Sequence, residues 1–142
     1  MPLLLDAVYL FALGLLSPWL AWRAAATGRY RRDLAAKLLG DVPLPQDTAP
    51  TAWFHGVSVG EIHLLVTLVA AFRRRHPDWR VVVSSTTDTG LSEARAKFPD
   101  LTVVPFPFDF SWAVRRGLRR VRPALVVLAE SELWPNFLRV AA

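Results

Sequence analysis

The sequence predicts an α/β protein built on a parallel β-sheet, preceded by an apolar amino-terminal helix. Short apolar runs alternate with longer segments of helical periodicity, which is the pattern of consecutive βαβ units. The runs are apolar throughout rather than alternating with polar residues, as expected for strands covered on both faces. The chain has 142 residues and no Gly/Ser linker or repeat, so one domain accounts for its globular part.

This pattern predicts four strands, each followed by a turn or helix, with right-handed crossovers. We expect strands over residues 52–57, 80–85, 101–106 and 124–129, and helices over residues 60–75, from the turn at 86–90 to residue 97, and over 111–121. Residues 41–51 contain three prolines and predict a linker between an amino-terminal segment (1–40) and the globular part (52–142).

The amino-terminal segment resembles a membrane anchor. Residues 3–22 are almost wholly apolar, and about 20 such residues span a bilayer core. Basic residues follow, which by the positive-inside rule place the rest of the chain in the cytoplasm beside anionic headgroups: Arg23, Arg29, Arg31, Arg32 and Lys37. Asp6 and Pro18 interrupt the run, so a buried helix or one lying along the membrane interface is the alternative.

Composition limits the classes of partner. The chain has no cysteine, which excludes disulfides and thiolate metal sites, and its net charge of +5 favours an anionic partner. Arg115/Arg119 and Arg116/Arg120 form a basic stripe at helical spacing, either a lipid-facing surface or a solvated face. Aromatic residues are not interleaved with it, which argues against nucleic acid. The three histidines lack metal-ligand spacing, so we expect no metal.

The segment Ser58-Val59-Gly60-Glu61 follows the first predicted strand and has the spacing of a capping box. Gly60 leaves room for a ligand to approach the backbone. Glu61 is thereby predicted at the carboxyl edge of the sheet, where open α/β sheets bind their ligands. The alternative is that Glu61 only caps the helix.

Polar residues follow every predicted strand, and parallel strands bring their carboxyl ends to one edge. The further residues of this kind are Thr86, Thr87, Thr89, Asp109, Glu130, Ser131 and Glu132. Two carboxylates, Glu61 and Glu130, could support general acid–base chemistry there. Singly, each residue could instead be a cap; Asp109, for example, could cap the third predicted helix.

Four motifs resemble, in order and approximate spacing, the amino-terminal half of the 3-deoxy-D-manno-octulosonic acid (Kdo) transferases of lipopolysaccharide assembly. These motifs are residues 57–61 (VSVGE), 86–90 (TTDTG), 107–109 (PFD) and 130–136 (ESELWPN). The last is the most specific, and the apolar amino terminus also resembles that family's anchor. The chain departs at Asp88, where proline is expected, at Ser131, where threonine is commoner, and at Phe108, where tyrosine is usual.

The resemblance implies a Rossmann-like, GT-B glycosyltransferase at the cell inner membrane with its catalytic part facing the cytoplasm. It implies transfer of Kdo from CMP-Kdo to a lipid A precursor with inversion, without a metal. Glu61 would be the general base, Glu130 would help to stabilise the transition state, and Ser58, Gly60 and Thr87 would shape the acceptor pocket. The donor would bind mostly to a second domain, so we expect this chain to be the acceptor-side fragment and inactive alone. The competing hypothesis is a non-catalytic, membrane-attached module that binds anionic lipid through the arginine stripe.

Overall fold

The computed structural model describes residues 2–27, 33–42, 48–130 and 134–142. Six helices and four strands lie in these ranges. They are, in chain order, α1 (Pro2–Thr27), α2 (Leu34–Leu39), β1 (Thr51–His55), α3 (Val59–Arg75), β2 (Arg80–Ser85), α4 (Asp88–Lys97), β3 (Thr102–Pro105), α5 (Ser111–Val121), β4 (Pro123–Leu128) and α6 (Pro135–Ala141).

The four strands form one parallel sheet in the order β3-β2-β1-β4, which confirms the predicted α/β class. The chain moves outward from β1 through β2 to β3, and then returns to place β4 on the other side of β1. The strand order therefore reverses between β1 and β4. In doubly wound sheets, ligands bind outside the carboxyl ends of the strands at this switch point.

Alternate residues of the strands supply two separate apolar cores, one on each face of the sheet. On one face Phe54 and Val83 pack with Ile62 and Leu65 of α3 and Ala94 of α4. On the other face the buried residues come mainly from the strands and from α5 and α6; they include Trp53, Val82, Phe106, Val114 and Phe137. Burial on both faces explains why β1 and β2 read as continuous apolar runs, whereas β4, at the edge of the sheet, is only partly buried.

Helix α1 is not confirmed as a membrane-spanning anchor. In the described part of the chain, no helix is both long and apolar enough to cross a membrane. Its first turns instead pack on the globular part: Asp6 is 4% exposed and accepts a hydrogen bond from the backbone N–H of Ser111 at 2.9 Å. Most of its other large apolar residues remain exposed; they include Leu3, Phe11, Leu15, Leu16, Trp19 and Trp22.

The segment after α1 contributes to the domain rather than only connecting to it. Lys37, expected to face lipid headgroups, is 4% exposed, and its Nζ lies 3.0 Å from Oδ1 of Asp88, so this part of the prediction is wrong. Val42, inside the predicted linker, is fully buried in the core beneath α5. Residues 28–32 and 43–47, with three of the predicted basic residues, lie outside the described residues.

Candidate active site at the carboxyl edge of the sheet

The turn between β1 and α3 holds the Glu61 carboxylate by both oxygens. Oε2 accepts a hydrogen bond from the backbone N–H of Val57 at 2.7 Å, and Oε1 accepts one from the Ser58 hydroxyl at 2.8 Å. The Ser58 oxygen in turn accepts from the Glu61 N–H at 3.2 Å, so the predicted capping box is present. Each carboxylate oxygen accepts one side-chain or backbone hydrogen bond here and has the capacity to accept a second, for example from a substrate hydroxyl.

The surroundings of Glu61 are polar and open on one side. Glu61 itself is 8% exposed, whereas Ser58 and Gly60 are exposed beside it. A Cβ at Gly60 would meet only the Ser58 hydroxyl, at 3.8 Å, so the first turn of α3 leaves space for a ligand on that side. The carboxylate is therefore largely covered, but it belongs to the exposed turn after β1 and to neither apolar core.

The turn after β2 is fixed to the turn after β1 by hydrogen bonds. The Thr87 hydroxyl donates to the backbone oxygen of Val57 at 2.7 Å and caps α4 by accepting from the Gly90 N–H at 3.0 Å. Ser85 also donates to the Val57 oxygen, at 3.0 Å. A Cβ at Gly90 would lie 2.8 Å from that same oxygen and 2.2 Å from the Ser85 hydroxyl, so glycine is required for this close approach. Thr87 thus positions the backbone that holds Glu61.

Glu130 lies at the same edge, on the other side of the switch point. Leu128 of β4 pairs with His55 of β1, and the Ala129 N–H donates to the His55 oxygen at 2.9 Å. This register places Glu130 just beyond the end of β1, with its side chain exposed. The structure therefore brings the turns of both predicted catalytic carboxylates to the switch point. Ser131 and Glu132, the neighbouring candidates, lie outside the described residues.

A buried histidine lies directly beneath this edge and was not predicted to have a role. The His55 ring is fully buried, stacks on Phe106 with centroids 3.8 Å apart, and contacts the Ser84 hydroxyl through Nδ1 at 2.9 Å. Its Nε2 lies 3.4 Å from the Thr86 hydroxyl, at the end of β2. His55 therefore connects the end of β1 to the end of β2 through its contacts with the Ser84 and Thr86 hydroxyls. Its place in an otherwise apolar strand was the only sequence signal.

A second polar cluster joins α1, α5 and α6 at this end of the molecule. Oδ1 and Oδ2 of Asp109 accept from the backbone N–H groups of Phe137 and Asn136, at 2.8 and 3.0 Å, so Asp109 caps α6 and not α5. Asp6 provides the acceptor for α5 instead, through Ser111. Asn136 connects the two carboxylates, because its Nδ2 donates to Asp6 at 3.2 Å and to the Asp109 backbone oxygen at 2.6 Å.

Tyr9 completes this cluster from α1. Its hydroxyl donates to Oδ2 of Asp109 at 3.2 Å. Burial raises the pKa of the Tyr9 phenol above its usual range, and the charge of Asp109 and its hydrogen bond raise it further. The tyrosine therefore remains a neutral donor, which keeps the first turns of α1 attached beside the motif at residues 134–136.

The predicted arginine stripe is partly neutralised within the chain. Arg116 and Arg120 lie 3.5 and 2.7 Å from Oδ1 of Asp41. The remaining arginines of α5 are exposed. The stripe is therefore not a uniform basic face.

Among the described residues no cluster of His, Cys, Asp and Glu has the arrangement of a metal site.

Many protein families contain a sheet of this kind, and comparison with known proteins identifies the family of this chain. A family model described as 3-deoxy-D-manno-octulosonic-acid transferase (kdotransferase) matches residues 27–142. The chain belongs to the Kdo transferase family. Among relatives named 3-deoxy-D-manno-octulosonic acid transferase, those of Chlamydophila psittaci and Chlamydia pneumoniae are 35% and 34% identical over 140 and 138 residues. The relative from Bordetella pertussis is 35% identical over 146 aligned positions.

Nearly all of this chain aligns, whereas each of these Kdo transferases is covered only in part. The alignments include 97%, 96% and 94% of this chain but only 32%, 32% and 34% of the respective relatives. The chain thus spans about a third of the length of the curated relatives it matches. No solved structure matches the chain. The family assignment confirms the resemblance on which the roles of Glu61, Glu130, Ser58, Gly60 and Thr87 were based, while those roles themselves stay predictions.

Proposed function

We propose that the protein transfers Kdo from CMP-Kdo to a sugar hydroxyl of a lipid A precursor, and that this chain supplies the acceptor side of the reaction. The observation that carries the proposal is the position of Glu61. It is a carboxylate of a Kdo transferase family member, held at the switch point of a doubly wound sheet with hydrogen-bonding capacity to spare.

Glu61 acts as the general base in this proposal. The acceptor oxygen attacks the anomeric carbon of Kdo while the bond from that carbon to the CMP phosphate oxygen breaks on the opposite face, which inverts the configuration. The acceptor proton passes to Glu61, and the bonding electron pair leaves with CMP. We assign Oε1 as the proton acceptor, because its partner Ser58 is exposed whereas the partner of Oε2 is the backbone of the strand end. Base catalysis of this kind contributes about 10²–10⁴-fold.

The other predicted residues position the acceptor. Ser58 and Gly60 border the carboxylate on its exposed side, and Thr87 fixes the backbone of Val57 that donates to Glu61. Glu130 follows β4 at the same edge of the sheet and would orient partners, because an uncompensated carboxylate beside an anionic donor is repulsive. CMP-Kdo would be bound mainly by a second domain, and no metal is required.

We further propose that α1 attaches the protein to the cytoplasmic face of the inner membrane through its exposed apolar residues. Phe11 and Leu15 are 71% and 68% exposed, while the side of the helix that carries Asp6 packs on α5. Replacing both exposed residues by serine should release the protein from membranes without lowering its unfolding temperature. Unchanged membrane sedimentation would contradict this attachment.

The activity is tested with the full protein in detergent, CMP-Kdo and a lipid A precursor, with the glycolipid product measured by mass spectrometry. The wild type should form product, and Glu61→Gln should lower the rate by about 10²–10⁴-fold. Glu93→Gln is the matched control, because Glu93 is a partly exposed carboxylate of α4 that pairs with His63 at 2.6 Å and, in the described part of the chain, makes no hydrogen bond or ion pair with the turn that holds Glu61. Wild-type protein without transfer, or Glu61→Gln at the rate of the control, would refute the proposal.

A further inference from the structure

A cavity of about 630 Å³ opens at the amino edge of the sheet, opposite the edge that carries Glu61. Thr51 and Arg80 line it, and these are the first residues of β1 and β2. The carboxyl-terminal half of α5 and the residue that follows it contribute four more arginines, Arg116, Arg119, Arg120 and Arg122. Because the strands are parallel, this cavity is separated from the candidate active site by the length of the sheet.

Among the described residues that line the cavity there are five arginines and no carboxylate. Asp41 is paired with Arg116 and Arg120. Within the described ranges of the chain, Arg119 and Arg122 form no ion pair with any carboxylate. Guanidinium groups that converge on a concave surface raise the local positive potential and concentrate anions there.

The backbone of Arg122 supplies an independent reason to look for a ligand here. Arg122 ends α5 in the left-handed conformation, with φ 46° and ψ 53°. Glycine is the residue favoured at this helix end, because a side chain is disfavoured at positive φ. An arginine at this position lowers stability but adds Arg122 to the lining of the cavity, and strained residues of this kind cluster at functional sites.

We propose that this cavity binds a phosphate-bearing anion through Arg119 and Arg122. The planar guanidinium matches the geometry of phosphate oxygens and can bind two of them at once. The anion is either a free phosphate compound or the phosphate of a lipid headgroup, and both present the same group to the arginines. This site uses none of the residues proposed for transfer, so its test is independent of the test of that function.

The test uses the full protein in a neutral detergent, titrated calorimetrically with inorganic pyrophosphate, and vesicles of phosphatidylcholine with and without phosphatidylglycerol. Saturable binding of pyrophosphate supports a free phosphate compound, and binding only to vesicles that contain phosphatidylglycerol supports a headgroup. Arg119→Gln should weaken the binding observed by about tenfold, the loss expected for one charge-assisted hydrogen bond. Arg119→Lys should recover it only in part, because it keeps the charge without the planar fork.

Two further variants distinguish a specific anion site from non-specific attraction to a basic surface and from a purely structural role of Arg122. Arg122→Gly should weaken binding while leaving the unfolding temperature equal or higher, a combination that a purely structural residue would not give. Arg115→Gln removes the same charge from the same helix outside the cavity and should leave binding within about twofold. The proposal is overturned if neither probe binds, if Arg115→Gln weakens binding as much as Arg119→Gln, or if Arg122→Gly binds like the wild type.

Discussion

Replacing Asp6 by alanine tests whether α1 is a structural part of the domain. The Asp6 carboxylate is 4% exposed and accepts three hydrogen bonds, from the Ser111 N–H at 2.9 Å, the Ser111 hydroxyl at 2.5 Å and the Asn136 amide at 3.2 Å. All three donors belong to residues more than a hundred positions away in the sequence. Alanine would leave them buried without this acceptor.

The expected loss follows from these contacts. Removing a helix cap costs about 0.5–2 kcal/mol, and each buried donor left unsatisfied costs about 1–3 kcal/mol. Because water can enter the space left by the carboxylate and the three bonds are not independent, we expect the free energy of unfolding to fall by about 3–4 kcal/mol.

Chemical denaturation of the full protein in detergent, followed by circular dichroism, measures this loss. Ser17→Ala is the control, because the Ser17 hydroxyl is exposed and donates only to the Gly14 oxygen of the same helix, at 2.8 Å. It should change stability by less than about 0.5 kcal/mol. A double-mutant cycle between Asp6→Ala and Ser111→Ala should give a coupling of about 1–2 kcal/mol. If Asp6→Ala matches the Ser17 control, α1 is not docked as described.

Three further predictions concern two glycines in the turns, the Lys37–Asp88 pair and the Arg73–Asp100 pair. Gly90→Ala should destabilise the protein by about 1–3 kcal/mol in thermal denaturation, because its Cβ would meet backbone, whereas Gly60→Ala should be neutral or stabilising. Asp88→Asn should cost about 1–2 kcal/mol in the same assay, because it leaves a buried lysine ammonium without its counter-charge. A hydrogen bond from Arg73 lowers the pKa of Asp100 below 3.8, so the stabilisation from this pair is present above the unfolded-state pKa and disappears as the pH falls through the folded-state value. NMR titration of Arg73→Gln should return the Asp100 pKa toward 3.8.

The sheet could be predicted because its signal is local. Each strand is a short apolar run, and the observed bounds of β2 agree with the predicted residues 80–85. The other strands differ from their predicted ends by one or two residues. A strand buried on both faces needs apolar side chains throughout, so its pattern is visible without knowledge of the partners. The order β3-β2-β1-β4, in contrast, depends on long-range pairing and was read only from the structure.

The capping box at Glu61 was predictable for the same reason. Its donors and acceptors all lie within residues 57–61, so the spacing of Ser58 and Glu61 was sufficient. The convergence of Thr87 and Glu130 on this turn required only that parallel strands share an edge. The contact of Thr87 with Val57 and the register of β4 against β1 required coordinates.

The sequence left the interpretation of α1 open, because local patterns do not identify what a helix packs against. An aspartate in an apolar run predicts either a weakened membrane span or a buried partner, and nothing near Asp6 in the sequence identifies Ser111 as that partner. The alternative given for Asp109 was a cap of the helix that follows it, but Asp109 caps α6, and Asp6 provides the acceptor for α5. Both assignments depend on which elements meet in three dimensions.

The kinetic parameters of Glu61→Gln in the full protein test the central claim that Glu61 is the base and not only a helix cap. The amide retains an acceptor for the Val57 or Ser58 bond but cannot take a proton, so kcat should fall by about 10²–10⁴-fold with KM for the acceptor within about threefold of wild type. A retained kcat, with any loss confined to KM or to stability, would show that Glu61 caps α3 and that another group removes the proton.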